Sequence, residues 1–138
     1  MANVCLQALT KSYTRGLNVI DGIDLTVQDG ELFFLLGPSG CGKSTLLRLI
    51  AGFLQPDSGA IRFGSKEVTQ IPPERRDTAM VFQNYALWPH MTVAENVAFG
   101  LEVRKVPKAE QKQQIADALE LVDMGAYADR SVTALSGG

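Results

Sequence analysis

The sequence predicts an α/β fold, with strands in its first third and helices in its second half. Three patterns predict it: apolar and polar residues alternating near the N-terminus, two short runs that are apolar on both faces, and amphipathic segments with helical spacing. The chain has 138 residues, 46% of them apolar. This length fits one domain and is enough to bury a core.

Composition and charge exclude several classes of protein. The 13 basic and 15 acidic residues give a net charge of -2, and the pI near 5.3 argues against a nucleic-acid-binding surface. The uninterrupted apolar run Leu32–Leu36 is too short to cross a membrane, and the N-terminus lacks the pattern of a secretory signal. Cys5 and Cys41 have no metal-ligand spacing and suggest a reducing compartment. These features predict a soluble cytoplasmic domain.

Five strands are predicted. Period-2 alternation predicts the first two, whose apolar positions are Val4, Leu6 and Ala8, then Ile23, Leu25 and Val27. Glu31–Leu36 follows the turn Asp29-Gly30 and is apolar on both faces, as in a strand buried inside a parallel or mixed sheet. Ile61 and Phe63 belong to another alternating strand, and Ala79–Phe82 is a second strand that is apolar on both faces.

Three helices are predicted. The first runs from about Lys43 to Ala51 and ends at Gly52, and its apolar side comprises Leu46, Leu47, Ile50, Phe53 and Leu54. Thr92 and Glu95 form a capping box that opens the second helix, whose shared face holds Val93, Val97 and Leu101. The third runs from about Lys108 to Met124 and is closed by Gly125, with a buried stripe of Ile115, Leu119 and Val122.

A phosphate-binding loop lies between the buried strand and the first helix. Gly37–Ser44 fits the pattern G-x-x-x-x-G-K-[ST] in the strand–loop–helix setting that this motif requires. Glycines permit positive φ, and the backbone N–H groups from Gly40 to Thr45 and the helix N-terminus attract phosphate. Lys43 can reach the β- and γ-phosphates of a nucleotide, and the Ser44 hydroxyl is the expected Mg²⁺ ligand. The predicted nucleotide-binding residues of this loop are Gly37, Pro38, Ser39, Gly40, Cys41, Gly42, Lys43, Ser44 and Thr45.

Three further motifs accompany this loop. Tyr13 lies upstream in Lys-Ser-Tyr-Thr-Arg, Gln83 directly follows the predicted strand ending at Phe82, and the chain ends in Leu135-Ser-Gly-Gly138. Together the four motifs resemble the ATP-binding cassette family of transport ATPases. The long segment Val81–Asn96 resembles the family's Q-loop, particularly in members that serve solute uptake in bacteria.

The resemblance implies roles for single residues. Tyr13 would stack on adenine, for which a flat aromatic ring is suited. Gln83 would touch Mg²⁺ or the attacking water. Lys43 and Gln83 are therefore the candidate catalytic residues, and Ser44 and Gln83 are the candidate metal ligands. Ser136, Gly137 and Gly138 would contact the γ-phosphate held by the opposite subunit, as an N–H nest and a hydroxyl can.

The resemblance also implies cofactors, partners and location. ATP and Mg²⁺ are the expected cofactors. A second ATPase subunit would form a dimer across the nucleotide, and membrane-spanning permease subunits would contact the Q-loop region, whereas nucleic acid is not expected. The protein would be cytoplasmic and attached to the inner face of the cell membrane through the permease.

The implied fold is a P-loop NTPase (RecA-like) core that is incomplete in these 138 residues. It would carry an N-terminal antiparallel β subdomain and part of an α-helical subdomain, divided into residues 1–84 and 85–138. The family's catalytic Asp and Glu and its switch His lie downstream of the signature, and no apolar strand ending in Asp-Glu occurs between Phe82 and Gly138. We therefore expect nucleotide binding without turnover.

Two other functions remain open on the sequence. One is a non-catalytic nucleotide-binding or assembly module. The other is a different P-loop enzyme, such as a small kinase or a GTPase. A GTPase should carry Asn-Lys-x-Asp, and no Asn here is followed by Lys. A kinase would not explain Tyr13, Gln83 and the final four residues together.

Overall fold

The strands of the first half form one antiparallel sheet. A computed structural model describes residues 3–14 and 16–136, and these divide into two compact units, Met1–Met80 and Val81–Gly138. The strands of the first unit are β1 (Val4–Thr14), β2 (Leu17–Val27), β3 (Ser58–Phe63) and β4 (Lys66–Glu67). Their order in the sheet is β2-β1-β3-β4, and every neighbouring pair is antiparallel. The predicted alternating strands are confirmed.

One helix covers this sheet and completes the core of the first unit. Helix α1 (Lys43–Ala51) begins directly after the predicted phosphate loop. Leu6 of β1 lies opposite Leu25 of β2 and Ile61 of β3, so apolar side chains from three strands meet on one face. The buried core cluster consists of Leu6, Leu9, Ile20, Leu46, Leu49, Ile61 and Val68.

The predicted alternation fails in the middle of β1. Ala8 was expected on the buried face with Leu6, but it is exposed and has a φ of 45°, while Leu9 is fully buried. The register shifts here against both β2 and β3, which identifies a β-bulge. The Ala8 amide donates to Asp24 Oδ1 at 2.8 Å instead of joining the regular ladder. The extra residue puts Leu9, instead of Ala8, on the buried face after Leu6.

The apolar side of α1 is rotated from its predicted position. Leu46 is buried as expected, but Leu47 and Phe53 are 46% and 49% exposed. Leu49, which the prediction omitted, is fully buried against the sheet. Apolar residues occur all around this helix, so their spacing alone did not decide which face packs.

The two runs that are apolar on both faces are not strands. Residues 31–36 and 79–82 have no regular secondary structure, and Leu36 and Val81 are 89% and 86% exposed. A strand needs a neighbour to satisfy its backbone N–H and C=O groups. Within residues 3–14 and 16–136, no strand pairs with either run. Their apolar composition is therefore left without the sheet that would bury it.

We expect the apolar run at residues 31–36 to cause self-association. Leu32, Phe34 and Leu36 are 79%, 70% and 89% exposed, and contiguous apolar surface of this kind drives association. Light scattering should show a mass that rises with concentration, and Phe34→Lys with Leu36→Lys should reduce that rise. Val122→Lys, at a 61% exposed position in the second unit, is the matched control. A wild-type chain that stays monomeric at high concentration would contradict this expectation.

The second unit contains two helices and short 3₁₀ turns. They are α2 (Val93–Val103), α3 (Lys108–Glu120), and the turns Gly125–Tyr127 and Val132–Ala134. A further 3₁₀ turn, Pro73–Arg75, belongs to the first unit. No helix among the described residues is long and apolar enough to span a bilayer.

The predicted start of α2 is confirmed, but the predicted end of α3 is wrong. The Thr92 side chain accepts from the Glu95 amide, and Glu95 accepts from the Thr92 amide at 2.7 Å, which completes the capping box. That backbone hydrogen bond lowers the pKa of Glu95. Helix α3 ends at Glu120 instead of Met124, and Val122 is 61% exposed. Asp123 has a positive φ of 57°, a conformation that cannot continue a right-handed helix.

Candidate functional site

The predicted phosphate loop has the backbone conformations that such a loop requires. Gly40 and Gly42 have φ values of 81° and 95°, in the left-handed region that glycine adopts without strain. A Cβ on Gly42 would lie 2.9 Å from the Val19 carbonyl oxygen and 3.0 Å from Ile20 Cδ1. Both the backbone angle and the close approach of β2 therefore require glycine immediately before α1.

Lys43 holds the loop together from its centre. Its Nζ donates to the carbonyl oxygens of Gly37 and Pro38, each at 2.7 Å, and lies 3.4 Å from Cys41 Sγ. These three contacts place the ammonium group inside the curve of the loop. A cation in that position can also meet an anion that enters the loop.

The N-terminus of α1 adds further donors at this point. Gly42 caps the helix without a side-chain hydrogen bond, and the first-turn amides of a helix have no partners within it. Ser44 is exposed in this turn, whereas Thr45 is buried. The helix end, the Lys43 ammonium and the Ser44 hydroxyl together make a positively polarised site with one free oxygen ligand.

Tyr13 contacts the same helix end. Its hydroxyl lies 3.3 Å from Thr45 Oγ1, although the side chain is 59% exposed. The structure therefore brings together Tyr13 and the first turn of α1, which are far apart in sequence. An exposed aromatic ring beside a phosphate-binding loop can accept a flat base by stacking.

Asp57 contacts the two residues that precede Tyr13 and was not predicted as part of the site. Its carboxylate accepts hydrogen bonds from Lys11 Nζ at 2.7 Å, from the Ser12 amide at 2.7 Å and from the Ser12 hydroxyl at 2.9 Å. The hydrogen bond from Lys11, with those from Ser12, lowers the pKa of Asp57 to about 2. The carboxylate is therefore charged at neutral pH. In the sequence it reads only as a turn residue before a strand, and nothing signals its partners.

Arg76 was also missed, because it stands in a polar loop. It is 3% exposed and donates to four main-chain oxygens at 2.6 to 2.9 Å, those of Leu49, Ile50, Thr69 and Ile71. Two of these belong to the last turn of α1, so Arg76 caps the helix whose other end carries the phosphate loop. A Cβ on Gly52 would lie 2.6 Å from Arg76 Nε. No periodicity in the sequence could indicate this packing.

Gln83 belongs to the second unit. It is exposed at the start of a turn in which Tyr85 and Ala86 have positive φ values of 60° and 53°. Trp88 is held close to this turn by Asn96, whose Oδ1 accepts from the Trp88 amide at 2.8 Å. The turn region presents exposed apolar side chains, namely Tyr85, Leu87 and Trp88.

The remaining predicted residues lie at the end of the chain. Ser136 is exposed and follows the 3₁₀ turn Val132–Ala134, while Gly137 and Gly138 lie outside the described residues. Over residues 3–14 and 16–136, no cluster of three or more His, Cys, Asp or Glu side chains could hold a metal ion.

The ABC transporter family model matches residues 20–138, which include the phosphate loop, Gln83 and the final four residues. The chain belongs to this family. Similar relatives include the spermidine/putrescine import ATP-binding protein PotA of Thermobifida fusca (strain YX), 53% identical over 98% of this chain, and the sn-glycerol-3-phosphate import ATP-binding protein UgpC of Bordetella avium (strain 197N), 49% identical over all of it. The diacetylchitobiose uptake system ATP-binding protein MsiK of Streptomyces coelicolor is also 49% identical over all of it.

The chain covers only part of the length of each of these relatives. The chain spans 36%, 38% and 37% of their respective lengths. A solved structure of the ATP-binding cassette MJ0796, a dimer in a post-hydrolysis state bound to ADP and Pi, has a TM-score of 0.85 and 27% identity over 97% of this chain and 63% of its own. Family membership and this likeness confirm the predicted fold class, a partial P-loop NTPase with an antiparallel β portion.

Proposed function

We propose that this chain binds ATP with Mg²⁺ at the loop of residues 37–45 and at Tyr13. One observation carries the proposal: the Lys43 ammonium, the left-handed glycines and the first turn of α1 meet at one place, with the Tyr13 hydroxyl 3.3 Å from Thr45 Oγ1. The name of the solved neighbour, an ATP-binding cassette bound to ADP and Pi, supports the same ligand class.

Each residue has a distinct task in this proposal. The amides from Gly40 to Thr45 donate to phosphate oxygens, and Lys43 exchanges its two loop carbonyls for the β- and γ-phosphates. Tyr13 stacks on the adenine ring while its hydroxyl keeps contact with α1. The backbone of Gly37, Pro38, Ser39 and Cys41 shapes the loop around the phosphates.

Mg²⁺ fits the oxygen donors of the site. The Ser44 hydroxyl is exposed at the helix end and would hold the ion through its oxygen. A bound Mg²⁺ would neutralise charge on the β- and γ-phosphates. In the second unit, the Gln83 amide can orient a water molecule, because it both donates and accepts hydrogen bonds.

The partners in this proposal follow from the relatives' printed functions in import. The exposed Tyr85, Leu87 and Trp88 would dock a membrane-spanning permease subunit, which would place the protein on the inner face of the membrane. A second ATPase subunit would pair with this one, with Ser136, Gly137 and Gly138 facing its nucleotide. The whole protein would then couple ATP hydrolysis to solute uptake.

We expect these 138 residues alone to bind ATP without sustained turnover. The phosphate-binding loop is present, but among residues 3–14 and 16–136 no buried strand supplies the second carboxylate that phosphoryl transfer in P-loop enzymes uses. A phosphate-release assay should give the same rate for the wild-type chain as for Lys43→Ala. Sustained release by the wild-type chain that Lys43→Ala abolishes would contradict this part of the proposal.

A further inference from the structure

Asp57 makes a compact set of contacts with the two residues that precede Tyr13. One carboxylate oxygen accepts from Lys11 Nζ at 2.7 Å, and the other accepts from both the amide and the hydroxyl of Ser12, at 2.7 and 2.9 Å. Asp57 is fixed in turn, because its amide donates to the Thr10 carbonyl oxygen at 2.9 Å. The carboxylate is therefore tied to β1 at the two residues that directly follow its own backbone anchor, Thr10.

These contacts occur where β3 stops pairing with β1, while β2 still pairs with it irregularly. Pairing with β3 ends at Thr10 and Ser58, and the register against β2 is irregular between Lys11 and Ser12 and again between Ser12 and Thr14. The Ser12 amide therefore donates to the Asp57 carboxylate, whereas in a regular β-ladder it would donate to a main-chain carbonyl oxygen. Asp57 thus extends the β3 side of β1 by two residues.

We propose that Asp57 is a positioning residue that holds the Lys11–Ser12 segment so that Tyr13 stands at the base-binding position beside Thr45. This inference rests on the proposed function, in which Tyr13 stacks on adenine. The Tyr13 side chain is 59% exposed, so little packing holds it. Its position depends on the backbone just before it and on its hydroxyl contact with Thr45. Among the described residues, Asp57 makes no hydrogen bond or ion pair with residues 37–45, which leaves the phosphate site independent of it.

The test compares a ligand that has a base with one that has none. Mg-ATP and Mg-tripolyphosphate are titrated calorimetrically into the wild-type chain, Asp57→Asn and Tyr13→Leu. Since stacking on an aromatic side chain is worth about 5- to 150-fold in affinity, we expect Asp57→Asn to weaken ATP binding about 5- to 10-fold. Tripolyphosphate affinity should stay within about 2-fold of wild type, because hydrogen bonds to the phosphate loop are unchanged. Glu67→Gln, which removes a carboxylate paired with Arg62 on the same sheet, is the matched control and should change neither affinity.

Several outcomes would overturn the inference. Equal losses for ATP and tripolyphosphate would mean a general structural defect, and an unchanged ATP affinity in Asp57→Asn would remove the positioning role. The double variant Tyr13→Leu with Asp57→Asn should bind ATP as Tyr13→Leu does, so additive losses would contradict action through Tyr13. If Asp57→Asn fails to fold, Lys11→Met with Ser12→Ala removes the two donor side chains and should show the same selective loss.

The same titrations separate this inference from the function on which it rests. A selective ATP loss in Tyr13→Leu without one in Asp57→Asn would refute the positioning role alone. No selective loss in Tyr13→Leu would refute the base site and the positioning role together. If tripolyphosphate binding is retained in either case, the proposal that residues 37–45 bind phosphate stays supported.

Discussion

Replacing Lys43 with alanine is expected to lower the affinity of the chain for Mg-ATP roughly 10- to 150-fold. The ammonium donates to two loop carbonyls at 2.7 Å, and among the described residues no other cationic side chain donates to residues 37–45. A hydrogen bond to a charged group contributes about 1.5–3 kcal/mol, which corresponds to this range. Tripolyphosphate affinity should fall in parallel, in contrast to its insensitivity in Asp57→Asn. Titration calorimetry measures both.

Lys66→Ala is the control for Lys43→Ala. Lys66 lies exposed in β4 of the same unit, so its removal changes the net charge equally without altering the loop. Lys43→Met keeps most of the side-chain stem and should lose as much affinity as the alanine variant. If Lys66→Ala weakened binding as strongly as Lys43→Ala, long-range charge rather than the loop would explain the effect.

Arg76→Met is expected to lower the free energy of unfolding by about 3 kcal/mol or more. The variant keeps an apolar stem of similar length but removes donors to four main-chain oxygens, in a side chain that is 3% exposed. Buried acceptors left without a donor are costly, and hydrogen bonds from a charged group are among the stronger ones. Two of the acceptors end α1, so this helix should lose stability first. Urea unfolding followed by circular dichroism measures the change.

Arg62→Met provides the matched control for Arg76→Met. Arg62 is partly exposed, with one hydrogen bond to the Ser65 carbonyl oxygen and a 3.8 Å ion pair with Glu67. Surface pairs of this kind contribute about 0–1 kcal/mol. An Arg76→Met variant as stable as Arg62→Met would show that the buried guanidinium does not hold the end of α1.

Local patterns in the sequence predicted much of the first unit and of its candidate site. Alternation located β1 and β2, and the phosphate-loop motif located both the loop and the start of α1. The capping box at Thr92 and Glu95 needs only residues three apart, so it was readable directly. Features of this kind depend on neighbours in the chain, which the sequence displays.

Where a feature depends on residues far apart in the sequence, the prediction was wrong or the feature was missed. Residues 31–36 have the composition of a buried strand, but a strand forms only where another strand pairs with it. The bulge at Ala8 depends on Asp24, and the role of Asp57 depends on Lys11, which is 46 residues away. Arg76 finds its acceptors in α1 and in the loop after β4. Polar contacts between residues this far apart in the sequence produce no periodic pattern of residue types.

Calorimetric titration of Mg-ATP into the unmodified chain tests the central claim most directly. Binding alone and turnover differ in the shape of the heat signal, because hydrolysis releases heat for as long as substrate lasts. We expect saturable binding of one nucleotide per chain, with the signal returning to baseline after each injection. The absence of saturable heat would contradict a nucleotide site at residues 37–45, and a persistent heat flow after each injection would contradict binding without turnover.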